Sequence, residues 1–272
     1  MKHLVLGSSG QIGNCIVDYF KNQGEEVIEF DIERDLNEDL RISNNSLLEE
    51  KIKECDIVHF LAFDVGGAKY LEKYQDTYPF ISNNIKIMAN TFELIQKHNK
   101  PVLFASSQMS ELGYSTYGQL KSIGEKMTKD LNGIVVRFWN VYGYEKDEEK
   151  SHVITDFIKM AKYEGVIKMR TDGQESRQLL YGDDCAECLL VISKKYRTLN
   201  RNKNYHITNF DWIKVIDVAK IIQNISGCEI IPSTRQDQTQ KNAMNNADSY
   251  ILKLWQPKTT LEEGINKLYK LY

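Results

Sequence analysis

Only four of the 272 residues are proline and five are cysteine. No hydrophobic stretch approaches the roughly 18 consecutive apolar residues that a membrane-crossing helix needs, which excludes a membrane-spanning protein. The amino terminus, MKHLVLGSSG, holds an apolar run of three residues. That is short of the roughly 7–15 of a signal-peptide core, so the expected compartment is the cytoplasm. Neither sign of charge dominates: 35 Lys and Arg stand against 38 Asp and Glu, a net charge of −3. Without a Lys/Arg block, nucleic acid is not expected as a partner. The cysteines (Cys15, Cys55, Cys185, Cys188 and Cys228) are odd in number and scattered, unlike a disulfide framework. Cys185 and Cys188 form a C-x-x-C pair, but a zinc site needs four ligands and no second pair or histidine cluster accompanies it. Within DDCAECLLVI both read as small apolar residues on the buried face of a helix, and no metal is expected. What remains is a globular composition, 42% apolar and 27% charged, with length for one large domain or two smaller ones.

The first 145 residues alternate short apolar runs with helical periods. Strands are predicted at HLVL (3–6), EVIEF (26–30), DIVHFLA (56–62), PVLFASS (101–107) and GIVVRF (133–138). Helices are predicted over 11–22, 46–55, 83–98 and 117–131, with Ile85, Met88, Phe92, Leu94 and Ile95 on the apolar face of the third. Such alternation builds a parallel sheet covered on both faces, with ligands at the carboxyl ends of its strands. From about Lys146 the pattern loosens. Helices are expected at 152–164, 183–195, 213–226 and 261–270, with strands in GQESRQLL and NKNYHITNF. Gln236 to Asn246 reads as an exposed loop. The division is 1–145 for a nucleotide-binding domain and 146–272 for a smaller lobe, interleaved as one unit.

The first strand runs straight into Gly7-Ser8-Ser9-Gly10-Gln11-Ile12-Gly13 and then a helix. Gly7 permits the sharp turn, Gly10 lets the backbone approach a pyrophosphate, and Gly13 lets helix and strand pack closely. The helix amino terminus offers N–H groups and a partial positive charge to the phosphates. Asp31 ends the second strand, 18 residues after Gly13. A carboxylate there accepts hydrogen bonds from ribose hydroxyls and repels a 2′-phosphate. The cofactor expected is NAD(H); Arg34 keeps NADP(H) open, and an ordinary strand-end acid is the plain alternative for Asp31.

Tyr117 and Lys121 lie at i and i+4 of a helix that follows PVLFASS. On one face, an ammonium can depress a phenol pKa from about 10 toward neutral. The phenolate then takes a proton from a substrate hydroxyl as hydride leaves its carbon for the nicotinamide. Ser107 or Ser106, at the strand end, can hydrogen-bond the same oxygen.

With these features the chain resembles the extended short-chain dehydrogenase/reductase family, in particular its NAD-dependent sugar-nucleotide epimerases and dehydratases. The resemblance covers nearly the whole chain and implies a doubly wound, Rossmann-like parallel sheet with a small carboxyl-terminal α/β substrate lobe. Asp39 and Leu40 look like the family's adenine-contacting pair. Leu61 and Ala62 look like its cofactor-lining fourth-strand segment, and Asn84 matches an Asn in the helix that follows. Arg137 through Gly143 resembles its R-x-x-N-x-Y-G, whose Asn, here Asn140, contacts the nucleotide sugar. Asp172-Gly173 through Arg177, then Asp183-Asp184, resembles its D-G-x-x-x-R…D-D run, where Arg177 would bind the diphosphate. Trp255 to Gly264 resembles its closing segment. The guanidinium fork of Arg177 suits a diphosphate in its own right; an ion pair with an acid such as Asp183 is the alternative, as a turn role is for Asn140.

Three departures stand out. Ser107 and Tyr117 are only ten residues apart, so the lid over the sugar is short. Gln108 and Met109 occupy the positions where family 4,6-dehydratases carry an Asp-Glu pair, which disfavours dehydration. Gly182 replaces an apolar residue. The expected activity is oxidation of a nucleotide-activated sugar at C4, as a dehydrogenase or an epimerase, in a homo-oligomer. An NADH-dependent ketosugar reductase and a non-catalytic NAD-sensing regulator are the alternatives.

Overall fold

The computed structural model describes residues 1–237 and 245–272. The first half runs β1 (Lys2–Leu6), α1 (Gln11–Asn22), β2 (Glu26–Phe30), α2 (Ser46–Glu54), β3 (Ile57–Phe60), α3 (Ala68–Tyr74), α4 (Tyr78–Lys97), β4 (Val102–Ser107), α5 (Thr116–Asp130) and β5 (Ile134–Phe138). The second half adds β6 (Asn140–Tyr142), α6 (Val153–Lys159), β7 (Val166–Lys168), β8 (Ser176–Arg177), β9 (Leu179–Tyr181), α7 (Gly182–Lys194), β10 (Asn204–Ile207), β11 (Ile213–Lys214), α8 (Val215–Ser226), β12 (Glu229–Ile231) and α9 (Leu261–Leu271).

Six strands form one sheet in the order β10-β5-β4-β3-β1-β2, every pairing parallel. Side chains alternate between its faces as a strand's period of two dictates. Val5, Ile57, Leu103 and Val136 pack with Ile16, Val17 and Phe20 of α1 and with Cys185, Cys188 and Leu189 of α7. Leu4, Leu6, Val58, Phe60 and Phe104 pack with Leu48, Ile52, Met88, Phe92 and Leu120 of α2, α4 and α5. The C-x-x-C pair is therefore core, both thiols free and fully buried. The chain goes out from β1 to β2 and returns to β3 on the other side of β1. That reversal opens a crevice at the carboxyl ends of β1 and β3.

The smaller lobe is three two-stranded pieces, β6 with β9, β7 with β12 and β8 with β11, under α6, α8 and α9 with a core of their own. Two elements past residue 145 belong to the main layer instead. β10 pairs with β5 as the edge strand, and α7 lies against α1. That contact explains Gly182: a Cβ there would sit 2.4 Å from the Sγ of Cys15.

Two local expectations change, and a third goes untested. Ile85 is 48% exposed, because the buried stripe of α4 runs through Phe80, Asn84, Met88, Thr91 and Ile95 and leaves Ile85 at its margin. GQESRQLL divides into β8 and β9. The loop expected from Gln236 to Asn246 falls largely on 238–244, outside the described residues. Its flanks are engaged: Asp237 pairs with Arg177, and Asn245 Nδ2 donates to the Gln108 carbonyl at 3.1 Å. The closing segment is docked, with Trp255 Nε1 donating to Glu187 at 3.2 Å and the amides of Lys258 and Thr259 to Asp184 at 3.0 and 2.8 Å.

Candidate active site

A single cleft of about 1330 Å³ runs along the carboxyl ends of the strands. At one end lies the glycine turn. Gly7 has φ +86°, and a Cβ on it would sit 2.8 Å from the amide nitrogen of Ala62. A Cβ on Gly13 would strike the Gly7 carbonyl at 2.1 Å, so these two glycines are required by the protein's own packing. Gly10 meets nothing closer than 3.4 Å; its freedom serves what lies outside. It is the N-cap of α1, and no side chain caps that helix end, which leaves the backbone donors of the first turn, at Gln11 and Ile12, for an anion.

Asp31 is fixed at the end of β2, accepting from the amides of Ser9 at 2.9 Å and Glu33 at 3.0 Å. Arg34 is drawn off by acids, 2.5 Å from Glu29 and 3.8 Å from Glu38, and is not set to receive a 2′-phosphate. Asp39 is bound by Arg41 at 2.8 Å and, with Leu40, Leu61 and Ala62, lines the same stretch of cleft. Asn84 clamps the loop after β3, accepting from the Asp64 amide at 2.7 Å and donating to its carbonyl at 3.1 Å. The uncapped helix end, the cradle that a Cβ would fill and the acceptor at Asp31 together fit a dinucleotide, which Gly7, Gly10, Gln11, Ile12, Gly13 and Asp31 would hold.

The middle of the cleft holds Ser107, Tyr117 and Lys121. Ser107 stands close enough to the Tyr117 phenol to act on its ionisation, and its hydroxyl accepts from the Met109 amide at 3.1 Å. Ser106 points away, its hydroxyl donating to Glu125 at 2.6 Å, and Glu125 is gripped by Arg137 through Nε at 2.7 Å. Both serines line the cleft, and of the two Ser107 is the one whose hydroxyl is not taken by Glu125. Lys121 is buried, its Nζ 2.6 Å from the Ala105 carbonyl and 3.7 Å from the centre of the Phe63 ring.

The electrostatics differ from the expected ones. Burial pushes the Tyr117 phenol up to about 12, with the nearby Ser107 side chain opposing. Burial also pulls Lys121 down to about 7, against the attraction of Glu125. The expectation that Lys121 drives Tyr117 toward neutrality is corrected for the chain by itself. Both groups are desolvated, which disfavours their charged forms, and the Lys121 donors are directed at Ala105 and Phe63.

The segment between Ser107 and Tyr117 is pinned. Ser110 donates to Glu125 at 2.8 Å, Glu111 pairs with Arg137, and Asn245 donates to Glu111 at 3.0 Å. Gln108 and Met109 are buried, Met109 within the apolar cluster.

At the other end, Asn140 and Arg177 line the cleft. Asn140 Nδ2 reaches the Gln178 carbonyl at 3.4 Å. Arg177 is ion-paired, with Asp237 rather than the anticipated Asp183. Asp183 sits instead in the first turn of α7, with Lys267 nearby. Two features of the cleft gave no signal in the sequence. His152 Nδ1 lies 2.6 Å from Glu145; enclosure lowers its proton affinity, but Glu145 more than offsets this and the pKa is raised. Glu72 of α3 bridges to Arg170 at 2.6 Å and Arg235 at 3.2 Å. Neither pairing has a fixed spacing, so no periodicity could reveal it.

A parallel sheet with a glycine turn, an acidic second strand and a Ser-Tyr-Lys set in one cleft defines a nicotinamide-dependent oxidoreductase of the extended short-chain type. More closely, the chain belongs to the NAD dependent epimerase/dehydratase family, whose model matches residues 3–208, and NAD is its cofactor. Among curated relatives it is 25% identical to GDP-L-fucose synthase from Sinorhizobium fredii, over 98% of this chain and 94% of that one. It is 22% identical to UDP-glucuronic acid decarboxylase 1 from Xenopus tropicalis, over 97% and 70%. Among solved structures, UDP-glucose 4-epimerase from Thermotoga maritima, with UDP-glucose, superposes with a TM-score of 0.82 at 20% identity over 99% and 98% of the two chains.

Proposed function

We propose that the protein oxidises the C4 hydroxyl of a nucleoside-diphosphate sugar with NAD, and either releases the 4-keto sugar or returns the hydride to the opposite face. The observation that carries this reading is the meeting of Ser107, Tyr117 and Lys121 in the middle of one cleft, with Asp31 at one end and Arg177 at the other. When bound, NAD supplies the hydride acceptor. Ser107 orients the reacting hydroxyl toward the Tyr117 oxygen. Tyr117 takes the hydroxyl proton as the phenolate, a form that burial disfavours in the chain by itself and that Lys121, protonated, favours. Arg177 exchanges Asp237 for the diphosphate. The relatives act on nucleotide-linked sugars by their names, which supports this substrate class.

Water elimination is disfavoured, because Gln108 and Met109 offer no acid or base. The dehydrogenase and epimerase outcomes share the first step and differ in how long the ketone is held. One turnover with stoichiometric UDP- or GDP-sugar and NAD separates them. A C4-inverted sugar with no net NADH identifies the epimerase, while equimolar NADH and ketosugar identify the dehydrogenase. Oxidation of added NADH by a 4-keto sugar, with no forward reaction, would move the assignment to the reductase. No turnover of any nucleotide sugar despite NAD binding would leave a sensor and overturn the proposal.

A further inference from the structure

We infer that Glu175 reads a ribose hydroxyl of the substrate's nucleotide, making the protein selective for ribonucleoside over deoxyribonucleoside diphosphates. The inference rests on the reading of Arg177 as the diphosphate anchor. Glu175 immediately precedes β8 and stands two residues before Arg177, and both residues line the cleft. Glu175 is 7% exposed. One oxygen accepts from Thr171 Oγ1 at 2.6 Å; the other, Oε2, is buried without any partner.

A buried carboxylate oxygen without a donor is costly, and a fold keeps one chiefly where a ligand satisfies it. Beside a diphosphate that ligand group is not an anion. It is an O–H or N–H donor within reach of the phosphates. Only one oxygen lacks a partner, and a ribose hydroxyl near the α-phosphate supplies the donor that it lacks. The protein already uses this chemistry at the other end of the cleft, where Asp31 is placed for the ribose of the cofactor. The guanidinium of Arg177 and the carboxylate of Glu175 thus form adjacent donor and acceptor sites for a phosphorylated ribose. The backbone holds them in register: the Val215 amide donates to the Glu175 carbonyl at 3.0 Å, and Ile213 pairs with Arg177.

The test is calorimetric titration of the NAD-saturated protein with UDP, GDP, their 2′-deoxy and 3′-deoxy counterparts, and inorganic pyrophosphate. Wild type should bind UDP or GDP roughly tenfold tighter than at least one deoxy form, the scale of a hydrogen bond to a charged group. Glu175→Ala should erase that ratio by weakening the ribonucleotide alone, with pyrophosphate and NAD affinities unchanged. Glu175→Gln, the same shape without the charge, should reduce the ratio while the thermal midpoint stays level or rises. Equal binding of ribo and deoxy forms by wild type would overturn the inference. So would a uniform loss across all ligands in Glu175→Ala, or a lowered midpoint in Glu175→Gln with the ratio intact. Arg177→Ala separates the underlying reading. If it binds UDP, GDP and pyrophosphate as wild type does, or if wild type binds none of them, the diphosphate anchor itself is wrong. If it weakens all three and Glu175→Ala leaves the ratio intact, only the role of Glu175 fails.

Discussion

The two ends of the cleft are built by different means. At the cofactor end, backbone does the work: a glycine turn, an uncapped helix terminus and one carboxylate, all within 31 residues of chain. At the substrate end, side chains do it. Arg177, Arg170 and Arg235 come from separated segments, and each is already matched to an acid, Asp237 or Glu72. A backbone site is set by which residues lack a Cβ, and it stands ready before any ligand arrives. A side-chain site is set by long-range pairing, and its cations must give up one partner to take another. One end is therefore rigid and generic to its cofactor, and the other is exchangeable and particular to its substrate.

The largest test of that contrast lies where the two ends meet. Tyr117→Phe should lower turnover at least about a hundredfold, the scale of general acid–base catalysis, and leave NAD binding intact when both are measured on the same preparation. Turnover near that of wild type would detach the chemistry from the cleft's centre.

Lys121 sharpens the comparison through pH. Its pKa is lowered from 10.5 to about 7 in the folded chain. Between those values the unfolded chain binds the extra proton, so stability rises with pH across that window, by up to about 1.4 kcal/mol per unit. Lys121→Met should flatten the rise relative to wild type in urea melts from pH 7 to 9. Parallel curves would place the ammonium in a more solvated setting. Tyr117, pushed up to about 12, stays protonated over this range and contributes nothing to the difference.

Asp31→Ala should weaken NAD by roughly tenfold, the scale of hydrogen bonds to a charged acceptor, and narrow the preference over NADP. A wild type that favours NADP in calorimetry would reverse the reading of this end. The smallest effect concerns the packing behind the site. Gly182→Ala places a methyl on the Sγ of Cys15 and should cost about 1 kcal/mol, the low end for overpacking. Cys15→Ala in the same chain should recover it, as paired thermal melts would show.

The same contrast explains what the sequence disclosed. α1 and β2 match the bounds read from their periodicity, because long amphipathic elements and the glycine turn are local signals. The placement of Ser107, Tyr117 and Lys121 around one cleft followed from strand ends and the i, i+4 relation. The three-residue strands β6, β7 and β12 are too short to show a period, and α3 offers only Leu71 as a buried residue. The partners of Arg177 and Glu72 were out of reach because an ion pair between distant segments leaves no spacing to read. The raised Tyr117 pKa was missed for another reason: helical spacing gives the distance to Lys121 but not the loss of water from both groups.

The late arrival of β10 has a consequence for the chain's history on the ribosome. The main sheet is left with β5 as a bare edge until 66 further residues have followed it, Trp139 to Lys203 and then Asn204, and α1 lacks its neighbour α7 for longer still, through the 159 residues from Gln23 to Tyr181. A fragment ending at residue 145 would carry IVVRF, all five residues buried in the full chain, with one edge unpaired, and an uncovered apolar helix face bearing Ile16, Val17 and Phe20. Both are templates for self-association. Nascent chains stalled between the two halves should thus depend on holding factors, and gene fusions or splits at the apparent lobe boundary should yield aggregates where a cut beyond Ile207 need not.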